Sequence, residues 1–340
     1  MDQADGKLMA PACAATVLIR NAVTRALNDC EPGDRVLVAC SGGPDSLALA
    51  AATGWAAQRL GLFAGAVIVD HQLQEGSAQI AAWAAKVCER LSLSPASVVA
   101  VRVDGSGGLE AAARDARYAA LTECAKALDS KVVLLGHTQE DQAETVLLRL
   151  TRGSGARSLA AMAKVNGLWH RPLLEIPRAL VHESATEVLA ELGEQAWQDP
   201  HNLDPHFARV RARGLLNTLS AELGPGVVVG LTRSASMLRD DADALDELAD
   251  ALFAEAVTIE SGSVSVAVDD LDGIPRAIRT RLVRALCLAA GVVPGELSRD
   301  HVLAVDHLLS NWTGQGTVFL PGGVEVGRAY DRLTVIRRTQ

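Results

Sequence analysis

No apolar run in the 340 residues approaches the roughly 20 needed to span a bilayer. No leader is expected either. Met1 to Pro11 has no basic start followed by an apolar block, so a cytoplasmic protein with no membrane partner is expected. None of the six cysteines (Cys13, Cys30, Cys40, Cys88, Cys124 and Cys287) forms a Cys-x-x-Cys pair or a metal-ligand spacing. They read as reduced core residues. Net positive charge is also lacking: 41 acidic against 32 basic residues give −9, which taken as one number argues against a nucleic-acid partner. The distribution weakens that argument. Asp240, Asp241, Asp243, Asp246, Glu247, Asp250 and Glu255 fall in one helical stretch, which leaves room for basic surfaces elsewhere. Two further absences narrow the nucleotide chemistry. No Gly-Lys-Ser/Thr closes a Walker A loop, and no third glycine completes a dinucleotide fingerprint.

What is present is organised around Val36 to Ser46, an apolar run that breaks into Ser41-Gly42-Gly43-Pro44-Asp45-Ser46 and passes into a helix-forming stretch. Glycines at a strand-to-helix turn let backbone N–H groups close on an anion, and the helix N-terminus adds a favourable dipole. That predicts a phosphate site. At 49% hydrophobic content the chain fills two cores, and its length favours two domains. Strands at 35–40, 64–69, 97–103 and 131–136 alternate with helices near 45–59, 77–92, 109–129 and 139–151, after a helix at 15–28. Such alternation means an α/β fold, a doubly wound parallel sheet whose strand-to-helix loops open on one edge. Beyond Gly224-Pro225-Gly226 an amphipathic helix over 231–256 leads to a smaller α+β domain. That domain has a strand at 263–268, helices near 275–290 and 298–310, a hairpin at 317–326 and a last strand from Leu333. The expected division is 1–225 and 226–340.

The predicted sheet edge carries the polar residues. Ser41 to Ser46 is joined there by Asp70-His71-Gln72, Asp104 to Glu110, and Gly136 to Asp141. His71 at a loop reads more readily as a solvated side chain than as a ligand-binding one. Glu110, Arg114 and Arg117 share a helical face, so Glu110 and Arg114 are either a rim pair or an exposed i,i+4 pair worth roughly half a kcal/mol. In the block from Leu135 to Gly155, Asp141, Thr145, Arg149 and Arg152 share one face. The acids of its first turn suit the helix dipole whether or not they meet a ligand.

Five motifs in order carry a resemblance: Ser41 to Ser46; Glu110 to Tyr118; Gly136-His-Thr-Gln-Glu-Asp-Gln-Ala-Glu144 running to Gly155; Arg171-Pro-Leu-Leu-Glu; and Trp197 to Asp204 with Phe207 to Arg213. Together they resemble the tRNA(Ile)-lysidine synthases, in the N-type ATP pyrophosphatase or PP-loop superfamily with its adenine nucleotide α-hydrolase-like fold. Glu140 stands where that family commonly has Asp, and Val210 interrupts a usual Arg-Asn-Arg. The end at Gln340 matches the shorter members.

The resemblance implies ATP with Mg²⁺, free L-lysine, and tRNA(Ile) with a CAU anticodon. It puts Ser41, Gly42, Gly43, Pro44, Asp45, Ser46, His71 and Gly136 on ATP, with Asp45 also on Mg²⁺. Asp45, Arg114, Arg117, His137 and Asp141 are the implied catalytic set. Lysine would be held by Asp141, Glu144, Arg209 and Arg211, and tRNA by Arg149, Arg152, Arg213, Arg276 and Arg279. Whether Arg209, Arg211 and Arg213 point together depends on that segment being helical. The 231–256 helix either pairs two chains in a homodimer or braces one domain against the other. Rival readings are a tRNA sulfur transferase, a glutamine-dependent synthetase and a nucleotide-binding regulatory module.

Overall fold

The structure is a computed structural model and describes residues 12–103, 108–153, 155–260 and 262–338. Met1 to Pro11 and residues 104–107 of the expected rim loop lie outside the described residues. The chain divides into two compact units between Ser236 and Met237.

The first unit runs α1 (Ala14–Ala26), β1 (Arg35–Ala39), α2 (Pro44–Leu60), β2 (Phe63–Asp70), α3 (Ser77–Arg90), β3 (Ala96–Ala100), α4 (Leu109–Ala127), β4 (Ser130–Leu135) and α5 (Gln139–Leu150). There follow α6 (Ala156–Leu159), β5 (Val165–Asn166), β6 (Trp169–His170), α7 (Arg178–Glu191), α8 (Ala208–Leu223) and the start of α9 (Val227–Ala256). The strand order is β3-β2-β1-β4-β6-β5, parallel except for β5. Period-two alternation sorts the strand side chains onto two faces. Val36, Val38, Ala64, Ala66, Ile68, Val132 and Leu134 join a core with buried residues of α1, α2, α3 and α7. Leu37, Val67, Val133 and Leu135 meet Leu121 and Ala125 of α4 on the other side. Both faces are covered, as a doubly wound sheet requires.

The second unit holds β7 (Val257–Glu260), β8 (Ser263–Ala267), α10 (Arg276–Ala289), α11 (Arg299–Ser310), β9 (Val318–Leu320), β10 (Val324–Ala329) and β11 (Arg332–Arg337). Its antiparallel sheet has the order β7-β8-β11-β10-β9. Val264, Val266, Val326, Leu333 and Val335 share a core with Leu282, Val283 and Leu286 of α10 and with Val302 and Val305 of α11.

Some elements differ from the sequence reading. The strand expected over 97–103 ends at Ala100, with one more bond from Val101 N–H to the Asp70 carbonyl. The long helix starts at Val227 rather than 231. The pieces β5, β6 and β7 are too short to carry a periodic signal, whereas helix α7, with Val181, Ala185 and Leu189 at steps of four, is an element the expected alternation lacks. Residues 208–223 are helical, so Arg209 and Arg213 fall one turn apart on one side while Arg211 points elsewhere.

Candidate active site at the sheet edge

Beyond the carboxyl ends of β1, β2 and β4 lies a cavity of about 390 Å³. Its floor is the phosphate-type loop. Gly42 takes φ +82°, and a Cβ there would also stand 3.1 Å from the Trp83 ring, so a side chain is disfavoured on both counts. The Ser46 hydroxyl shapes the loop, accepting from Ser41 N–H at 3.1 Å and donating to the Gly43 carbonyl at 2.9 Å. Helix α2 follows with Gly43 as its N-cap and Pro44 in its first turn, and no side chain caps it. Its first amides therefore remain available to an anion.

The β4–α5 connection presses on this loop. A Cβ at Gly136 would lie 3.1 Å from the Asp45 carbonyl oxygen and 3.2 Å from its carbon. That neighbour is backbone in the first turn of α2 and yields only if the loop moves. Gly136→Ala is thus expected to weaken ATP binding about tenfold, equivalent to about 1.4 kcal/mol. Calorimetric titration with ATP checks it; unchanged affinity would show that the loop gives way freely.

Around the cavity stand His71, Gln72 and Gln74 after β2, Arg117 of α4, His137 and Asp141, then Trp197, Asp199 and His201, and Arg209 of α8. His71 Nδ1, Arg117 Nε and His137 Nδ1 are buried without a hydrogen-bond partner. Orphaned polar atoms on three residues that line one cavity are suited to a polar ligand. Burial, reinforced by Arg117 and only partly opposed by Asp70, pushes the His71 pKa down. Burial also lowers His137, with Arg117, Arg171 and Arg209 adding to it against the pull of Asp141. Both imidazoles are consequently neutral near pH 7 and act there as hydrogen-bonding groups rather than cations.

The carboxylates of α5 form a network with α7 and α8. Asp141 Oδ2 accepts from Thr138 N–H at 2.7 Å and from the Thr138 hydroxyl at 2.9 Å, capping the helix. Its Oδ1 receives Arg178 Nη2 at 2.9 Å. Glu140 Oε2 accepts Arg178 N–H at 2.8 Å, and the longer side chain at this position so reaches the start of α7. Glu144, only 1% exposed, receives Arg213 Nε at 2.9 Å and Arg178 Nη2 at 3.4 Å on Oε1, while Oε2 has no partner. Arg178 went unnoticed in the sequence because it sits outside every motif. Its proximity to α5 arises from the fold.

The other expected residues fall as follows. Ser41, Gly43, Asp45, Ser46, His71, Gly136, Arg117, His137, Asp141 and Arg209 line the cavity; Gly42, Pro44, Arg114, Glu144 and Arg211 do not. Arg114 leans on Tyr118, its Nη2 3.3 Å from the hydroxyl, and Glu110 faces Arg209 at 3.5 Å instead of Arg114. Arg211 donates to the carbonyls of Pro205 and His206, both at 2.8 Å. Arg149 Nη1 donates to the Ser158 carbonyl at 2.6 Å, and Arg152 lies exposed just past the end of α5. In the second unit Arg279 is tied to Asp306 at 2.7 Å, whereas the Arg276 side chain remains 64% exposed. The segment 197–204, legible only as a motif, supplies Trp197, Asp199 and His201. Gln74 Nε2 bonds Asp199 at 2.9 Å and His201 Nδ1 at 2.8 Å, and Trp197 N–H bonds the Gly42 carbonyl at 3.0 Å.

The chain matches two family models, a PP-loop domain over residues 16–219 and a TilS substrate binding domain over residues 267–334. A tRNA(Ile)-lysidine synthase from Thermobifida fusca is 52% identical, the match covering 94% of this chain and 96% of that protein. One from Salinispora arenicola is 47% identical, covering 96% and 97%. Among solved structures, a U34-tRNA thiolase from Methanococcus maripaludis shares the fold with a TM-score of 0.53 at 18% identity, over 66% of this chain and 80% of that one. No single helix among the described residues is long and apolar enough to cross a membrane. With a PP-loop domain matched over more than half its length and relatives this similar from end to end, the chain belongs to the tRNA(Ile)-lysidine synthase family.

Proposed function

We propose that the protein joins free L-lysine to C2 of the wobble cytidine in a tRNA(Ile) with a CAU anticodon. The observation supporting this reading is that one cavity is lined both by an anion-binding loop at a helix start and by the Asp141 end of a buried carboxylate network. An amide-like C2 oxygen is a poor leaving group. Its attack on the α-phosphorus of ATP forms an adenylated base and expels pyrophosphate. The neutral ε-amine of lysine then attacks C2, the C2–O bond breaks, and AMP departs with the oxygen while the amine gives up a proton.

In this scheme the loop amides hold the phosphates, and Arg117 and His137 donate to phosphoryl oxygens as negative charge shifts among them. Asp141, at the cavity, receives the lysine ammonium and accepts its proton, and Glu144 stands behind it holding Arg178 and Arg213. Arg209, on the cavity wall, suits the lysine carboxylate. No group of three or more metal-binding side chains is assembled among the described residues. Asp45 nevertheless has a buried Oδ1 without a hydrogen-bond partner, 3.1 Å from His182 Nε2 but not aligned with it. One carboxylate beside a phosphate loop fits Mg²⁺, which rides on phosphate oxygens with few protein ligands. When bound there, the ion would neutralise the departing pyrophosphate.

Incubation with labelled lysine, ATP and a CAU-anticodon tRNA(Ile) transcript tests the reading. Label in the tRNA, with one AMP and one pyrophosphate per lysine, is the expected result. AMP formation without lysine incorporation would overturn it.

A further inference from the structure

Cys40 is the last residue before the phosphate-type loop, and it lines the cavity although only 3% of it is exposed. Its sulfur stands 3.6 Å from the Ser46 hydroxyl, whose bonds shape the loop. A second cysteine lies behind it. A Cβ on Gly42 would meet the Ala84 Cβ at 3.3 Å, so α3 passes directly against the loop. The strands β1, β2 and β3 are parallel and α3 joins two of them, so the helix runs back against the strand direction. Two residues back along the chain from Gly42 stands Cys40, and one helical turn on from Ala84 stands Cys88. Both thiols belong to one core cluster, where Cys88 donates a hydrogen bond to the Cys40 sulfur.

The surroundings set Cys40 apart from the other cysteines. The hydrogen bond from Cys88 outweighs burial, and with the Ser46 and Gly42 contacts it holds the Cys40 thiol below its ordinary value. That same bond, together with burial, pushes Cys88 up. Burial pushes Cys30, Cys124 and Cys287 up as well. A thiol that ionises readily on a cavity wall, backed by a second thiol in contact, is the arrangement that takes an oxidant and then closes a disulfide. Neither sulfur is needed for lysine transfer as proposed above.

We propose that Cys40 and Cys88 form a modification site for small peroxides, and that the disulfide made there disables the adjoining phosphate loop. The Cys40 thiolate attacks one oxygen of hydrogen peroxide and the O–O bond breaks. Cys40 becomes a sulfenic acid, and the departing hydroxide takes up the proton that the thiol gave up. The Cys88 thiol then attacks the Cys40 sulfur, the S–O bond breaks, and a second water leaves. Two thiols are oxidised to one disulfide while one peroxide is reduced to two waters. The new S–S bond, about 2.0 Å long, draws the Cys40 sulfur toward α3 and away from Ser46 and the Gly42 amide. Bound ATP closes the cavity to the oxidant. This link to ATP rests on the reading of the cavity as the ATP site.

The test treats the full chain with hydrogen peroxide, with and without saturating ATP, then maps thiols and disulfides by mass spectrometry and titrates ATP by calorimetry. A disulfide between Cys40 and Cys88 is expected, formed severalfold more slowly when ATP is bound. The oxidised protein should bind ATP about tenfold or more weakly, and dithiothreitol should restore the affinity. Cys88→Ala should form no such disulfide and leave on Cys40 a sulfenic acid that dimedone traps. Cys40→Ala should yield neither product. Melting temperatures of the two reduced variants check that each is folded. Oxidation of Cys13, Cys30 or Cys124 ahead of Cys40 would overturn the proposal, as would a disulfide that leaves ATP affinity unchanged. If the reduced protein binds no ATP, the reading of the cavity fails, whereas the disulfide, read by mass, stands or falls without it.

Discussion

Asp141→Asn is expected to yield a folded protein that still binds ATP but transfers lysine about 10²- to 10⁴-fold more slowly, the range for loss of a positioned acid–base group. The fold should survive because an asparagine oxygen can take over the bond from Thr138 N–H, now 2.7 Å long. What disappears is the negative charge facing Arg178. Burial pushes the Asp141 pKa up, but Arg178 and the Thr138 amide and hydroxyl outweigh it, so the carboxyl titrates below its ordinary value. The linkage sign follows. A group with a lowered native pKa adds stability that is present above the unfolded value, about 3.9, and is lost as pH falls through the native value. Melting temperature followed from neutral pH into acid should accordingly fall less steeply for Asp141→Asn than for the unaltered protein. Lysine incorporation at near-normal rate would remove Asp141 from the chemistry and leave it as a helix cap only.

Arg279→Glu should destabilise the second unit by about 3–5 kcal/mol, the cost of leaving a buried charge without its partner. Asp306 is 2% exposed and receives Arg279 Nε at 2.7 Å and Nη2 at 3.3 Å, while Nη1 reaches the Ile274 carbonyl at 3.2 Å. A glutamate there would set two carboxylates together between α10 and α11. Arg276→Glu changes an exposed residue 3.9 Å from the same Asp306 and should move stability by about 1 kcal/mol or less. Hydrogen exchange over residues 276–310 would separate the two. Protection retained in Arg279→Glu would show that the pair is dispensable. Weakened tRNA binding in that variant reports unfolding of the unit, and carries no information on contact.

The two arginines show where sequence reasoning stops. Both lie in the first turn of one basic helix, and periodicity alone treats them alike. Asp306 sits in a different helix, so only the packing of α10 on α11 makes one of them internal. The same limit applies to Glu144. Its position on α5 is legible from the three-residue step after Asp141, but the two guanidinium groups on it come from α7 and α8. The phosphate loop is different in kind, because its strand, glycines and helix start are contiguous and local sterics dictate the turn.

The sequence by itself therefore determined the alternation of strands and helices, the phosphate loop, the second unit and the family motifs, all properties of contiguous segments with their own periodicity or backbone constraint. Tertiary structure alone decided that Arg178 bridges Asp141 and Glu144, that Gly136 must stay bare against Asp45, and that Arg279 rather than Arg276 is turned inward on Asp306. Each of these depends on which distant segments meet, and contact between segments far apart in the chain leaves no periodic trace in either one.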